Sequence, residues 1–434
     1  MQLLLRPATG LYDSLWRYVP TLIIVILFVM FPLGYFESLR WILPPPKATH
    51  GFLKGLFLTL VILCVLFRQK LRSGMLFSER LVIGLFILSF VISAVFSMVP
   101  ETSLLYLWYP LIAGAIMYAS STIRFSQQHL VLVVTVAMVL VTATFAFTFF
   151  SLLFRYEVTT LYYFLFLPHR ANFLLDELRE SGKYVSLGPY IMLLPLTLTF
   201  LIERRATWAR KALAMLMYVM SVLTAVLSNN RIDVLVVAIQ TLIVLWLIPR
   251  RLAVILLLLI IPVTQLGLTT TEKYFGFNLE ERILRPQKVR DIETVEMRLV
   301  YWQNALRNFR LHPLVGTGPN TYNDVTDFPL RRYYDEGVKQ YTVRQDIGIG
   351  VHNIFIERLS DTGLFGFLTF VVLLLYFARS DIIAVVKRTG ERRTRYILFA
   401  LSSWSWILYG ITDNGYGAQG FVTFFFLRGL LHHL

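Results

Sequence analysis

Apolar residues in this chain come in long unbroken runs rather than in narrow stripes. The runs fall at about 18–36, 51–67, 81–98, 104–120, 130–153, 185–202, 209–227, 232–248, 252–268, 353–378, 395–411 and 417–431. Most are roughly 17–25 residues long, which is what a helix needs to cross the hydrocarbon core. Barrel strands would be about half as long and would alternate. In lipid, backbone polar groups have only each other as partners, so continuous runs of this length predict α-helices. The expected fold class is an all-α polytopic membrane protein of about twelve transmembrane helices, with residues 1–434 forming a single membrane domain.

Two long polar stretches interrupt the series, a smaller one at 154–184 and a larger one at 269–351. In the larger, Val295, Leu299, Trp302, Leu306 and Phe309 recur at helical spacing and predict an amphipathic helix lying on the membrane domain. His312-Pro313 ends it, because a proline restricts the residue before it. Gly316-Thr317-Gly318-Pro319-Asn320 reads as a turn. As a phosphate nest this turn is weak, since no Gly-Lys-Ser/Thr accompanies it. In the smaller stretch, Asn172 to Arg179 predicts a short helix.

Charge orients the series. Arg68, Lys70, Arg72 and Arg80 crowd the second connection. Arg204, Arg205, Arg210 and Lys211 crowd the sixth, and Arg250 and Arg251 the eighth. Lys387, Arg388, Arg392, Arg393 and Arg395 crowd the tenth. All are even-numbered connections and share one side, which the positive-inside rule makes cytoplasmic, together with both termini. The two long polar stretches are then outer loops. Loops that long cross largely regardless of their own charge.

The composition agrees with this reading. The 434 residues are 56% hydrophobic and 15% aromatic, with a mean hydropathy of +0.64. A net charge of +15 and a pI near 9.9 reflect topology and anionic lipid rather than nucleic acid, for which no reader module is visible. The single cysteine, Cys64, lies in an apolar run and serves as a small hydrophobe. No small-residue cleavage site follows the first run, which reads as a retained span rather than a removed signal peptide.

Residues able to do chemistry gather at the outer ends of spans. His352 stands where the large loop meets the membrane, in Val351-His352-Asn353-Ile354-Phe355. A histidine suits a general base near neutral pH, although at a helix end it can equally be a cap. Arg155, Arg231 and Arg298 lie at outer membrane level, either snorkelling to headgroups or forming a clamp for a phosphate-bearing ligand. Glu357, Asp361 and Asp413 are possible orienting partners for a histidine. No His-Glu-x-x-His or outward histidine pair appears, so neither a metal nor another cofactor is expected.

His352-Asn353 followed by Gly363-Leu364-Phe365-Gly366, together with the Arg-x-x-x-Leu of Arg231 to Leu235, resembles the signature of the O-antigen ligase and polymerase superfamily. The run from Arg298 through Trp302, Leu311-His312-Pro313-Leu314 and Gly316-x-Gly318 is similar to that family's large loop. The resemblance covers roughly residues 225–370 by motif and favours the ligase branch. It implies a GT-C-like helical enzyme of the bacterial inner membrane with its site on the periplasmic face. Such an enzyme transfers a glycan from undecaprenyl pyrophosphate to a sugar hydroxyl of lipid A–core, with inversion and without a metal. It also implies roles: His352 as base, Arg155, Arg231 and Arg298 on the diphosphate, with Asn353, Gly363 and Gly366 as motif support. Within the superfamily, a glycan polymerase or a protein O-oligosaccharyltransferase is the alternative. From another class the rival is a polysaccharide transporter or flippase, but no repeated halves or midplane polar groups are visible.

Overall fold

The computed structural model describes residues 74–123, 125–126, 128–139, 142, 192–203, 206–227, 231–275, 289–326, 330–335, 340–345, 350–411 and 417–434. The runs at 18–36 and 51–67, Cys64, the loop at 154–184 with Arg155 and the expected helix at 172–179, and Asp413 lie outside the described residues.

The described chain is helical apart from one hairpin. In order come α1 (Phe77–Val95), α2 (Pro100–Tyr106) and α3 (Trp108–Thr122), then α4 (Gln128–Val139). Next are α5 (Trp208–Leu227), α6 (Arg231–Leu247) and α7 (Arg250–Phe275). The larger polar stretch holds α8 (Val289–Leu311) and the strands β1 (Leu330–Asp335) and β2 (Gln340–Gln345). Last are α9 (Ile354–Lys387), α10 (Gly390–Gly410) and α11 (Gly417–Leu430).

Three of these stretches, Phe77–Val95, Pro100–Thr122 and Ile354–Lys387, are long and apolar enough to cross a membrane. With their composition they make this a membrane protein. The larger loop was expected to be helical but also contains the antiparallel pair β1–β2, with Tyr333 opposite Thr342 and Tyr334 opposite Tyr341. Aromatic and β-branched residues at these positions favour an extended pleat over a helix.

Between helices in lipid, close packing and cross-helix hydrogen bonds do most of the holding. The packing here is aromatic. Phe86 and Phe90 of α1 meet edge to face at 5.1 Å between ring centres, and Phe86 reaches Phe370 of α9 and Phe421 of α11. Gln240 of α6 donates from Nε2 to Ser405 Oγ of α10 at 2.6 Å.

A buried ion pair ties the last three helices together. Asp381 of α9 accepts from Arg428 Nη1 at 2.8 and 2.6 Å. It also accepts from Tyr396 Oη and Trp404 Nε1, each at 2.7 Å. The Arg428 guanidinium sits 4.3 Å over the Phe377 ring. Removing one member strands a buried charge, so Arg428→Ala is expected to cost about 3 kcal/mol. A lowered thermal unfolding midpoint in detergent would register this; an unchanged midpoint would show the pair to be dispensable.

Candidate functional site

The region around His352 is built from a break in α9 and the turn that fills it. Within α9, Gly363 has φ 63° and ψ −166°, a conformation essentially restricted to glycine. The break frees backbone carbonyls on its N-terminal side and N–H groups on its C-terminal side, which near lipid need partners. The turn after α8 supplies both kinds. Thr317 and Gly318 donate from their backbone nitrogens to the Ser360 and Asp361 carbonyls at 3.0 and 2.9 Å. Leu364 and Phe365 donate to the Pro313 and Leu314 carbonyls at 2.8 and 3.2 Å.

This pairing brings two backbones nearly into contact. A Cβ on Gly363 would lie 2.5 Å from the Leu314 carbonyl and 2.6 Å from Gly316 N. On Gly316 (φ 72°) a Cβ would run into the Asp361 carbonyl. At Gly366 it would collide with Thr362. Ser93 of α1 donates to the Asp361 carbonyl at 2.7 Å, and the Asp361 carboxylate accepts from Asn320 N at 2.9 Å.

The possible phosphate nest is therefore already filled. Gly316 N donates to His312 O, Thr317 N and Gly318 N to α9, and Asn320 N to Asp361. Pro319 has no N–H to offer. The glycines of this turn serve a protein–protein backbone contact.

His352 sits one residue before the cap of α9. Asn353 is the N-cap, its Oδ1 accepting from Phe355 N and Ile356 N at 3.0 and 3.1 Å. Its Nδ2 donates to the Ile411 carbonyl at 2.9 Å, fixing this end of α9 to the end of α10. His352 itself is in the left-handed region at φ 55°, which is uncommon for a non-glycine residue and points to a positional requirement. The ring is half-buried and stacks on Tyr301 of α8, with centroids 6.1 Å apart and planes 25° off parallel. Trp302 Nε1 donates to the Val351 carbonyl at 3.0 Å. Two neighbouring side chains of α8 thus set the approach to His352 from one side, and Asn353 sets it from the other.

The packed face of α8 differs from the expected one. Tyr301, Ala305 and Asn308 are buried, whereas Leu299 is exposed. The face is turned by one residue, about 100° of helix. The polar anchors explain the turn: Tyr322 Oη donates to Tyr301 O at 3.0 Å and Asn308 Nδ2 to Thr326 Oγ1 at 3.0 Å. This side of α8 packs on protein, with Val351 and Tyr322 in one cluster with it.

Arg298 is half-buried on α8, one turn before Tyr301 and Trp302 and on the same helical side. Arg231 is the first residue of α6. Arg155 is outside the described residues. Of the three proposed orienting carboxylates, Glu357 lies within electrostatic reach of His352 and pairs with Arg358 at 2.9 Å. Asp361 serves the turn instead.

Sequence reading did not single out Tyr301, Arg358 or Ser93. Arg358 is buried, 5.0 Å over the Phe90 ring. Tyr301 could have been found from its spacing to Arg298, but nothing in the sequence pairs Ser93 with a residue 268 positions away. Among the described residues no group of three or more His, Cys, Asp or Glu is placed to hold a metal ion. The arrangement offers an imidazole at a capped helix start, stacked on Tyr301, with the Glu357 carboxylate within electrostatic reach.

Residues 216–371 match the family model described as O-antigen ligase. The matched stretch runs from α5 into α9 and includes Arg231, Arg298, His352, Asn353, Gly363 and Gly366. None of the curated proteins compared matches the chain. The match covers about a third of the chain and marks this stretch as similar to that family.

Proposed function

On that similarity, we propose that the protein is an O-antigen ligase that moves a glycan from undecaprenyl pyrophosphate to a sugar hydroxyl of lipid A–core. The observation that carries this reading is His352. It is half-buried, held at positive φ against Tyr301 and placed directly before a capped helix, inside the matched stretch. In the proposed step His352 takes the proton of the acceptor hydroxyl as its oxygen attacks the anomeric carbon. The bond from that carbon to the diphosphate oxygen breaks, undecaprenyl pyrophosphate departs and the anomeric centre inverts. Arg155, Arg231 and Arg298 neutralise the leaving diphosphate, the task a divalent ion performs elsewhere.

The wider setting belongs to the same proposal. It is a multi-pass protein of the bacterial inner membrane with about twelve GT-C-like spans, cytoplasmic termini and the 269–351 loop on the periplasmic side. Both substrates are lipid-anchored, which suits a site where a polar loop meets a membrane helix.

Arg231→Ala and Arg298→Ala are each expected to raise the KM for the lipid-linked donor about 10–100-fold, from the loss of a charge-assisted bond. The KM for the acceptor should stay unchanged. Initial rates with reconstituted protein and purified donor and acceptor would measure both, and an unchanged donor KM removes that arginine from the clamp.

A deletion strain tests the reaction itself. Free lipid A–core with accumulated polymeric donor supports the ligase. A core capped with one repeat unit supports the polymerase branch instead, and unaltered lipopolysaccharide overturns both.

A further inference from the structure

We infer that the turn Leu311–Leu314, at the end of α8, is inserted in the lipid bilayer beside α9, with acyl chains as its partner. Leu311 is 66% exposed and Leu314 69%, and Pro313 between them is also exposed. An exposed apolar pair in a water-facing loop would need no explanation by itself. This one is placed where it has one. The Pro313 and Leu314 carbonyls are bonded to Leu364 and Phe365, the residues just after the break in α9.

From that point α9 presents a continuous exposed stripe, Leu364, Leu368, Val372 and Leu375. The spacing of four, four and three residues keeps these on one side of the helix. α9 is one of the helices long and apolar enough to cross the membrane, so this stripe faces lipid. The Leu311–Leu314 turn extends it past the break.

The backbone of the turn fits the same surroundings. Lipid supplies no hydrogen-bond partners, so an irregular segment enters it more readily when its polar groups are already bonded, as three carbonyls of this turn are. The carbonyls of His312, Pro313 and Leu314 accept from Gly316 N, Leu364 N and Phe365 N. His312 N donates to Asn308 O, and Pro313 has no N–H.

Charge marks the depth. Arg307 and Arg310 are exposed in the last turns of α8, where basic side chains beside an apolar wedge meet lipid phosphates. Tyr301, which stacks on His352, lies ten residues before Leu311 on the same helix, about 15 Å along its axis. The wedge would thus hold α8 against the bilayer at a fixed distance from His352. This inference stands whether the protein is a ligase, a polymerase or neither.

The test uses full-length protein in nanodiscs of phosphatidylethanolamine and phosphatidylglycerol. Cys64→Ser removes the native thiol, and a polarity-sensitive nitrobenzoxadiazole label is attached in Leu314→Cys and, separately, Leu311→Cys. Gln303→Cys, exposed on α8, is the reference for a water-facing position. The expected result at 311 and 314 is blue-shifted emission, lost with doxyl-labelled lipids and insensitive to aqueous iodide, while the 303 label behaves in the opposite way. Iodide quenching at both 311 and 314 without quenching by doxyl lipid overturns the insertion. Because no glycan transfer is measured, failure here is separate from failure of the ligase reading.

Discussion

His352→Ala is expected to reduce glycan transfer by about 10²–10⁴-fold, the range lost when a positioned general base is removed. The protein should still insert and fold, since Asn353 rather than His352 caps α9. The positive φ at this position complicates a simple alanine test, because alanine tolerates the left-handed region poorly. His352→Asn avoids this, as asparagine visits that region readily but cannot serve as a base at neutral pH. Both variants should therefore lose transfer to a similar extent, and the asparagine variant should keep the unfolding midpoint of the parent. Transfer rates from lipid-linked donor, measured alongside detergent thermal unfolding, separate the two effects. An asparagine variant with near-normal transfer would reduce His352 to a conformational residue.

Gly363→Val is expected to be the most damaging single change to the fold. The residue would be forced into a glycine-only conformation, which costs about 1–3 kcal/mol. Its side chain would also meet the Leu314 carbonyl, 2.5 Å from the position of Cβ. That carbonyl is held by Phe365 N and cannot withdraw without breaking the pairing. Overpacking of this kind adds about 1–3 kcal/mol. Together these are a large share of the total stability of an ordinary domain.

Gly316→Ala strikes the same contact from the other side, against the Asp361 carbonyl. If the two glycines guard one contact, Gly316→Ala and Gly363→Ala combined will destabilise by less than the sum of the separate changes. Strict additivity, or a Gly363→Ala variant with an unchanged midpoint, would show that the break and the turn do not depend on each other.

Parts of this arrangement were legible before any fold was known. Both ends of α5, α6 and α11 and the start of α9 fall close to the edges of the apolar runs, because a helix in lipid continues for as long as the sequence remains apolar, whereas α9 runs on to Lys387, past the expected end at 378. His352, Asn353, Gly363 and Gly366 stood out as a motif, and Asn353-Ile354 could be read as a helix start. The break in α9 is less visible, since nothing in Gly363-Leu364-Phe365-Gly366 says that the first glycine is at positive φ and the second is not. The apolar run at 104–120 likewise hid the change of helix at Leu107. The rotation of α8 could not be foreseen, because its polar anchors, Val351, Tyr322 and Thr326, come from segments that follow it in the chain.

The sequence by itself determined a membrane protein, its helical character and a short list of candidate side chains, since apolar run length and residue type are local properties. Only the tertiary structure decided what the glycines are for. Gly316 and Gly363 face one another across 47 residues, and the hydrogen bonds freed by the break in one segment are completed by the other. Tertiary structure also decided that His352 leans on Tyr301 and that Asp361 serves the turn. Such pairings follow from where backbone groups lacking local partners meet in space, which spacing along the chain does not encode.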